Sequence, residues 1–241
     1  MTKEEAIALV QGNLGDFMRD TSAKYAAPFF WGNPGVSGIW HNGSCFFLEW
    51  TKDAPFGVTA AHVYQACLGD CARYQRVVCQ LGTGVVINPS ERLIDLNEDL
   101  DIATFRVSPE EVCRAEKIAF TMPLFVPQEG KGVFFAGFPG SVLERIGNAT
   151  YNAGIMSGLV VASRVSDRNI TCQFEREYMV HAPPQPCDMG GMSGAFLAAV
   201  IDRGGISLWQ PAGVIYECHD NFEIMLASRL DRVGLNGRIM G

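Results

Sequence analysis

Apolar residues recur along this chain in two registers. Over residues 4–20, Ile7, Val10, Leu14, Phe17 and Met18 fall near one stripe, which predicts a short amphipathic helix whose ordinary role is to pack against a later domain. From about Phe29 the pattern changes to short apolar runs separated by Gly, Asn, Asp and Pro. These predict strands at 45–50, 56–60, 77–81, 102–107, 132–138, 155–162, 170–175, 177–181, 195–201, 207–216 and 223–227. Their Phe, Val and Ile content suits half-buried or fully buried strands. So many short strands divided by turns predict an all-β fold, a barrel or a sandwich.

The pattern breaks near 108–130. Ser108-Pro109-Glu110-Glu111 reads as a capping box, with Ser as N-cap, Pro at the first helical position and Glu at the third, so a helix of about two turns follows. The expected organisation is a helical extension at 1–28, a first β unit at 29–107, a connector at 108–129 and a second β unit at 130–241. The last of these ends in a helical turn over Ser228–Val233, stopped by Gly234.

Composition narrows the partners. The 241 residues carry 19 Lys and Arg against 26 Asp and Glu, a net charge of −7 with no basic cluster. An acidic surface repels phosphate, which argues against nucleic acid and anionic membranes as partners. The longest apolar run, Gly194 to Ile201, is far too short to span a bilayer. The opening MTKEEAIALVQ places Glu4 and Glu5 where a secretory signal carries positive charge, so the expected location is cytoplasmic. Eight cysteines are then expected as reduced thiols. Cys67, Cys71 and Cys79, with or without His62, have spacings that a zinc site could use, but no paired C-x-x-C is present. Buried thiols and no metal or cofactor are the reading from spacing alone.

Three short patterns carry the chemistry. Val58-Thr59-Ala60-Ala61-His62 ends a buried strand in two small residues and an imidazole, which lets a tight turn aim the ring into a cleft. Asp99-Leu100-Asp101-Ile102-Ala103 puts a carboxylate at the start of an apolar strand, where it needs a hydrogen-bond partner. Met189-Gly190-Gly191-Met192-Ser193-Gly194 surrounds a serine with glycines that allow a sharp turn and bring amide N–H groups beside its oxygen. Acyl transfer needs that arrangement, because charge develops on the carbonyl oxygen. Each pattern alone is weak: His62 has a structural reading, and Asp101 the reading of a turn cap.

Together, T-A-A-H, D-I-A and G-x-S-G, 39 and 92 residues apart, resemble the trypsin/chymotrypsin-like serine protease family over roughly residues 35–230. Gly43-Ser44-Cys45-Phe46-Phe47, Ala136-Gly137-Phe138-Pro139-Gly140 and Pro211-Ala212-Gly213-Val214-Ile215 belong to the same likeness. The resemblance implies two six-stranded antiparallel β-barrels with a cleft between them and a polypeptide substrate. It implies Ser193 as nucleophile, His62 as base and Asp101, in preference to Asp99, as the orienting acid. The N–H groups of Gly191 and Ser193 would form the oxyanion hole, and Cys187, Asp188, Tyr216, Glu217 and Cys218 would line the substrate pocket.

The likeness has gaps. Met192 stands where secreted members carry an Asp that pairs with a new N-terminus, and Val63 where a disulfide cysteine often follows the histidine. Activation by that salt bridge is therefore not expected, which leaves restraint to a regulatory protein partner or to a collapsed loop at 187–192. Asp188 and Glu217 would favour a basic side chain in the pocket unless both face solvent. His41, His181 and His219 read as structural or exposed. An α/β-hydrolase is excluded by Ala195, where its elbow needs glycine, and by the position of the histidine before the serine. A catalytically silent binding module on the same barrels is the alternative of a different class.

Overall fold

The computed structural model describes residues 8, 11–33, 40–52, 54–121, 123–140, 143–145, 151–175, 179–180, 189–203, 206–219 and 223–241. Helix α1 (Asn13–Ser22) leads into a first run of strands: β1 (Ala26–Gly32), β2 (Trp40–Leu48) and β3 (Phe56–Thr59). Helix α2 (Ala61–Arg73) follows, then β4 (Val78–Leu81), β5 (Val85–Ile87), the single turn α3 (Pro89–Arg92), β6 (Leu93–Asn97) and β7 (Ile102–Arg106). After α4 (Pro109–Arg114) come β8 (Gly132–Gly137), β9 (Leu143–Arg145), β10 (Tyr151–Ala153), β11 (Met156–Val165) and β12 (Asn169–Gln173). The chain ends through β13 (Met179–Val180), β14 (Phe196–Arg203), β15 (Ile206–His219), β16 (Ile224–Arg229) and a 3-10 turn at Leu230–Arg232.

Two antiparallel sheets result. The first runs β5-β4-β1-β2-β3-β7-β6, and its end strands do not pair with each other among the described residues. The second runs β12-β16-β15-β14-β8-β11-β13 and is closed by β11 pairing with β12, a six-stranded barrel with β13 appended. β9 and β10 form a separate ribbon. The molecule is all-β, with the chymotrypsin-like arrangement of a curled first sheet beside a closed second barrel.

Strand alternation explains how one chain builds three cores. Phe47 faces the interior of the first sheet with Phe29, Tyr64 and Phe105, while its neighbour Phe46 points the other way. In the second barrel Phe135 faces inward with Phe174 and Met192, while Phe134 points out. The outward residues meet in a shared core of Phe46, Phe120, Phe134 and Phe196, with Phe46 and Phe120 lying 6.1 and 5.1 Å from Phe196 between ring centroids. Emptying one such ring to alanine costs about 3–5 kcal/mol. This apolar seam fixes the two sheets against each other, and with them the groups each sheet brings to the cleft.

The connector helix forms as its capping box predicts. The Glu111 N–H donates to Ser108 Oγ (3.2 Å) and the Ser108 N–H to Glu111 Oε2 (2.8 Å). Helix α2 is absent from the expected elements, as are strands β1, β5, β6, β9 and β10. Of the helix expected over 4–20, residues before 11 other than Ala8 lie outside the described residues. No helix among the described residues is long and apolar enough to cross a membrane.

Candidate active site

His62 is the second residue of α2. Ala60 and Ala61 are buried, which lets the helix start directly at the end of β3. Ala60 is the N-cap and has no side-chain acceptor, so the first-turn N–H groups need a partner from elsewhere. Asp101 supplies it. One carboxylate oxygen accepts the His62 backbone N–H (2.9 Å), and the other lies 2.6 Å from Nδ1 of the ring. The acid thus caps the helix that carries the imidazole and holds the ring by Nδ1. An anion at a helix N-terminus is also favoured by the helix dipole.

Asp101 reaches this position through a tight turn. Asn97 Oδ1 accepts the Leu100 N–H (2.9 Å), the Asp101 N–H donates to the Glu98 carbonyl (3.2 Å), and Asp101 has φ +47°. Aspartate is among the few residues that enter the left-handed region readily. The carboxylate of Asp99 makes no such contact with His62: it lines the same cavity, about 360 Å³, together with Ala61, His62, Glu98, Asp101 and Tyr216.

Ser193 comes from the second barrel, on a turn whose glycines are obligatory. Gly191 has φ +92° and Gly194 φ +89°; a Cβ would sit 2.1 Å from Asn42 Nδ2 at the first and 1.9 Å from the Ser44 carbonyl oxygen at the second. Met192, in the place of the expected Asp, is fully buried with Met189 in the second core. Apolar burial, not an ion pair, anchors this turn.

The turn also orients two N–H groups. The Gly190 carbonyl accepts from the Gly140 N–H (2.5 Å) and the Met192 carbonyl from the Ala195 N–H (2.9 Å). In a trans peptide N–H and C=O point in opposite directions, so these ties aim the Gly191 and Ser193 N–H groups away from the barrel. Neither finds an acceptor among the described residues.

Ser44 on β2 links the two halves of the site. It is fully buried, and its N–H donates to the Ser193 carbonyl (2.8 Å). Its hydroxyl donates to the Gly191 carbonyl (2.8 Å) and accepts the Phe138 N–H (2.9 Å), and its own carbonyl accepts Thr59 Oγ1 (2.7 Å). Asn42 adds a bond to the Phe138 carbonyl (3.0 Å). Sequence reasoning placed Ser44 on a strand and assigned it no task. The polar residues alternating at Asn42 and Ser44 before an apolar run were the available signal.

The Ser193 hydroxyl donates to the Tyr216 carbonyl (3.1 Å) and makes no hydrogen bond to His62. Tyr216 borders the cavity lined by His62 and Asp101, and its carbonyl is the link between Ser193 and that cavity. Burial, then the charges of Glu217 and Asp101, raise the Tyr216 phenol above its ordinary range. The other pocket residues divide. The Glu217 carboxylate lies 3.0 Å from His219 Nε2 at the surface, and Cys218 packs against the second core. Cys187, Asp188 and His181 lie outside the described residues. His41 stacks on Trp31 (5.4 Å) beside Asp70.

No protein-family model matches the sequence, and no curated protein matches it significantly. Solved structures are similar in fold at low identity. The active form of the Rv3671c protease from M. tuberculosis is 13% identical, over 93% of this chain and 82% of that one, at a TM-score of 0.44. Catalytically inactive tobacco etch virus protease complexed with substrate is 11% identical, over 86% and 78%, at 0.45. The thermostable serine protease AL20 from an extremophilic microorganism is 12% identical, over 86% and 91%, at 0.44. Identities this low transfer no chemistry, and the roles that follow come from this chain's own residues.

Proposed function

We propose that this chain is a serine endopeptidase that cleaves polypeptides through an acyl-enzyme formed on Ser193. The observation that carries the reading is the two-point grip of Asp101 on His62, through Nδ1 at 2.6 Å and the backbone N–H at 2.9 Å. That grip leaves Nε2 as the ring's basic nitrogen, the one available to a serine. Rotation about the Ser193 Cα–Cβ bond would release the hydroxyl from the Tyr216 carbonyl to another staggered position, and the reaction requires it to meet that nitrogen. In the reaction His62 takes the Ser193 proton as Oγ attacks the scissile carbonyl, then gives it to the leaving amine. Asp101 stabilises the imidazolium, and the Gly191 and Ser193 N–H groups receive the oxyanion. With Met192 in place of a salt-bridging Asp, no cleaved N-terminus is needed, and restraint falls to a protein partner.

A second reading, a silent binding module, is favoured by the hydroxyl's bond to Tyr216 instead of the imidazole. Fluorophosphonate labelling with mass spectrometry of the modified peptide separates the two. The peptidase predicts covalent modification at Ser193, none in Ser193→Ala, and cleavage of a peptide library by wild type alone. Absence of both labelling and cleavage in wild type rejects it in favour of the binding module.

A further inference from the structure

Cys67, Cys71 and Cys79 come together although their spacing alone did not require it. Cys67 and Cys71 lie one turn apart on the same face of α2, and Cys79 faces them from β4. Cys67 Sγ is 2.8 Å and Cys71 Sγ 3.5 Å from Cys79 Sγ, and all three sulfurs fall within 4.8 Å of one another. Cys67 and Cys79 are buried; Cys71 is partly exposed and gives a path from solvent.

We propose that these three thiolates bind a soft d10 cation, zinc(II), with water in the fourth position on the Cys71 side. Three converging sulfurs are one more than a disulfide uses, and soft thiolate ligands select such ions over hard ones. A tetrahedral site with zinc–sulfur bonds of about 2.3 Å sets its sulfurs about 3.8 Å apart. The Cys71–Cys79 pair is already close to that, and Cys67 has to withdraw from Cys79 by about 1 Å. Binding exchanges three thiol protons for one divalent cation, leaves the site with one net negative charge, and changes no oxidation state. The ion would tie β4 to α2, the helix that presents His62, so the fold around the imidazole would be braced by metal. The site does not depend on Ser193 being a nucleophile.

The test uses the full chain, reduced with a phosphine, loaded with zinc and desalted. About one zinc should remain per chain, three thiols should become unreactive to a thiol reagent until a chelator is added, and three protons should be released on loading. Cobalt(II) should give a thiolate charge-transfer band. Cys71→Ser, at the exposed corner, should weaken zinc retention by at least about tenfold and lose the zinc-dependent rise in melting temperature. Reduced wild type that retains no zinc and gives no cobalt band overturns the proposal. So does loss of two thiols that return with reductant and not with chelator, which identifies a Cys67–Cys79 disulfide. Neither result bears on labelling at Ser193.

Discussion

At the scale of single residues, the site depends on side chains that do two things at once. Asp101 caps a helix and holds a ring; Ser44 ties the Ser193 turn to the first sheet through its N–H and its hydroxyl. Ser44→Ala leaves the Gly191 carbonyl and the Phe138 N–H without this partner. A buried polar group left unsatisfied costs about 1–3 kcal/mol. If the Gly191 turn carries the oxyanion donors as proposed, that loss should fall on the transition state. The expected result is a roughly ten- to hundredfold lower kcat with KM within about twofold. A fall in melting temperature with kcat unchanged would reduce Ser44 to a structural role. The pairing of His62 with Asp101 was legible because T-A-A-H and D-I-A are local strings. Ser44 was not, since its partners lie 94 and 147 residues away.

At the scale of elements, legibility followed local chemistry. The capping box at Ser108 was readable because both its bonds close within four residues. Strand β1 was obscured by Pro28, which the sheet tolerates because its carbonyl still accepts the Gly82 N–H and the Gly82 carbonyl takes Gln80 Nε2 in place of the missing proline donor. Helix α2 was not legible although Ala60, Tyr64, Cys67 and Cys71 recur at helical spacing, because its N-cap Ala60 has no side-chain acceptor and so gives no local start signal. Tyr64 shows how this helix is fixed. It is fully buried, and its hydroxyl donates to the Pro89 carbonyl at the start of α3 (2.7 Å). Burial, then the neighbouring Cys67 and Cys79, push its phenol well above the ordinary range. With the folded value above the unfolded one, the unfolded chain loses this proton first. Stability from Tyr64 is therefore complete below about pH 10 and declines as pH rises further. In urea unfolding, Tyr64→Phe should leave the pH dependence from about pH 8 to 10 unchanged and flatten the decline above about pH 10, by at most about 1.4 kcal/mol per pH unit. Parallel declines in the two proteins would contradict this.

At the scale of the whole molecule, the all-β class and the grouping of strands into two sheets were legible because alternation and turn residues repeat along the chain. What was not legible is how the sheets face each other. The seam of Phe46, Phe120, Phe134 and Phe196 draws on four separate segments, and no local pattern announces that they meet. That seam fixes the sheet that carries Ser193 against the one that carries His62 and Asp101, while the local turn decides which of two nearby carboxylates reaches the ring. Asp99 and Asp101 differ little as sequence; only the left-handed turn at Asp101 separates them. The acylation rate of Ser193 by an activated ester, compared in Asp101→Asn and Asp99→Asn, tests this most directly. A slowing of about 10⁴-fold in Asp101→Asn, with Asp99→Asn within a few-fold of wild type, is the predicted outcome. Wild-type acylation rates in Asp101→Asn, or the large loss in Asp99→Asn instead, would contradict the account.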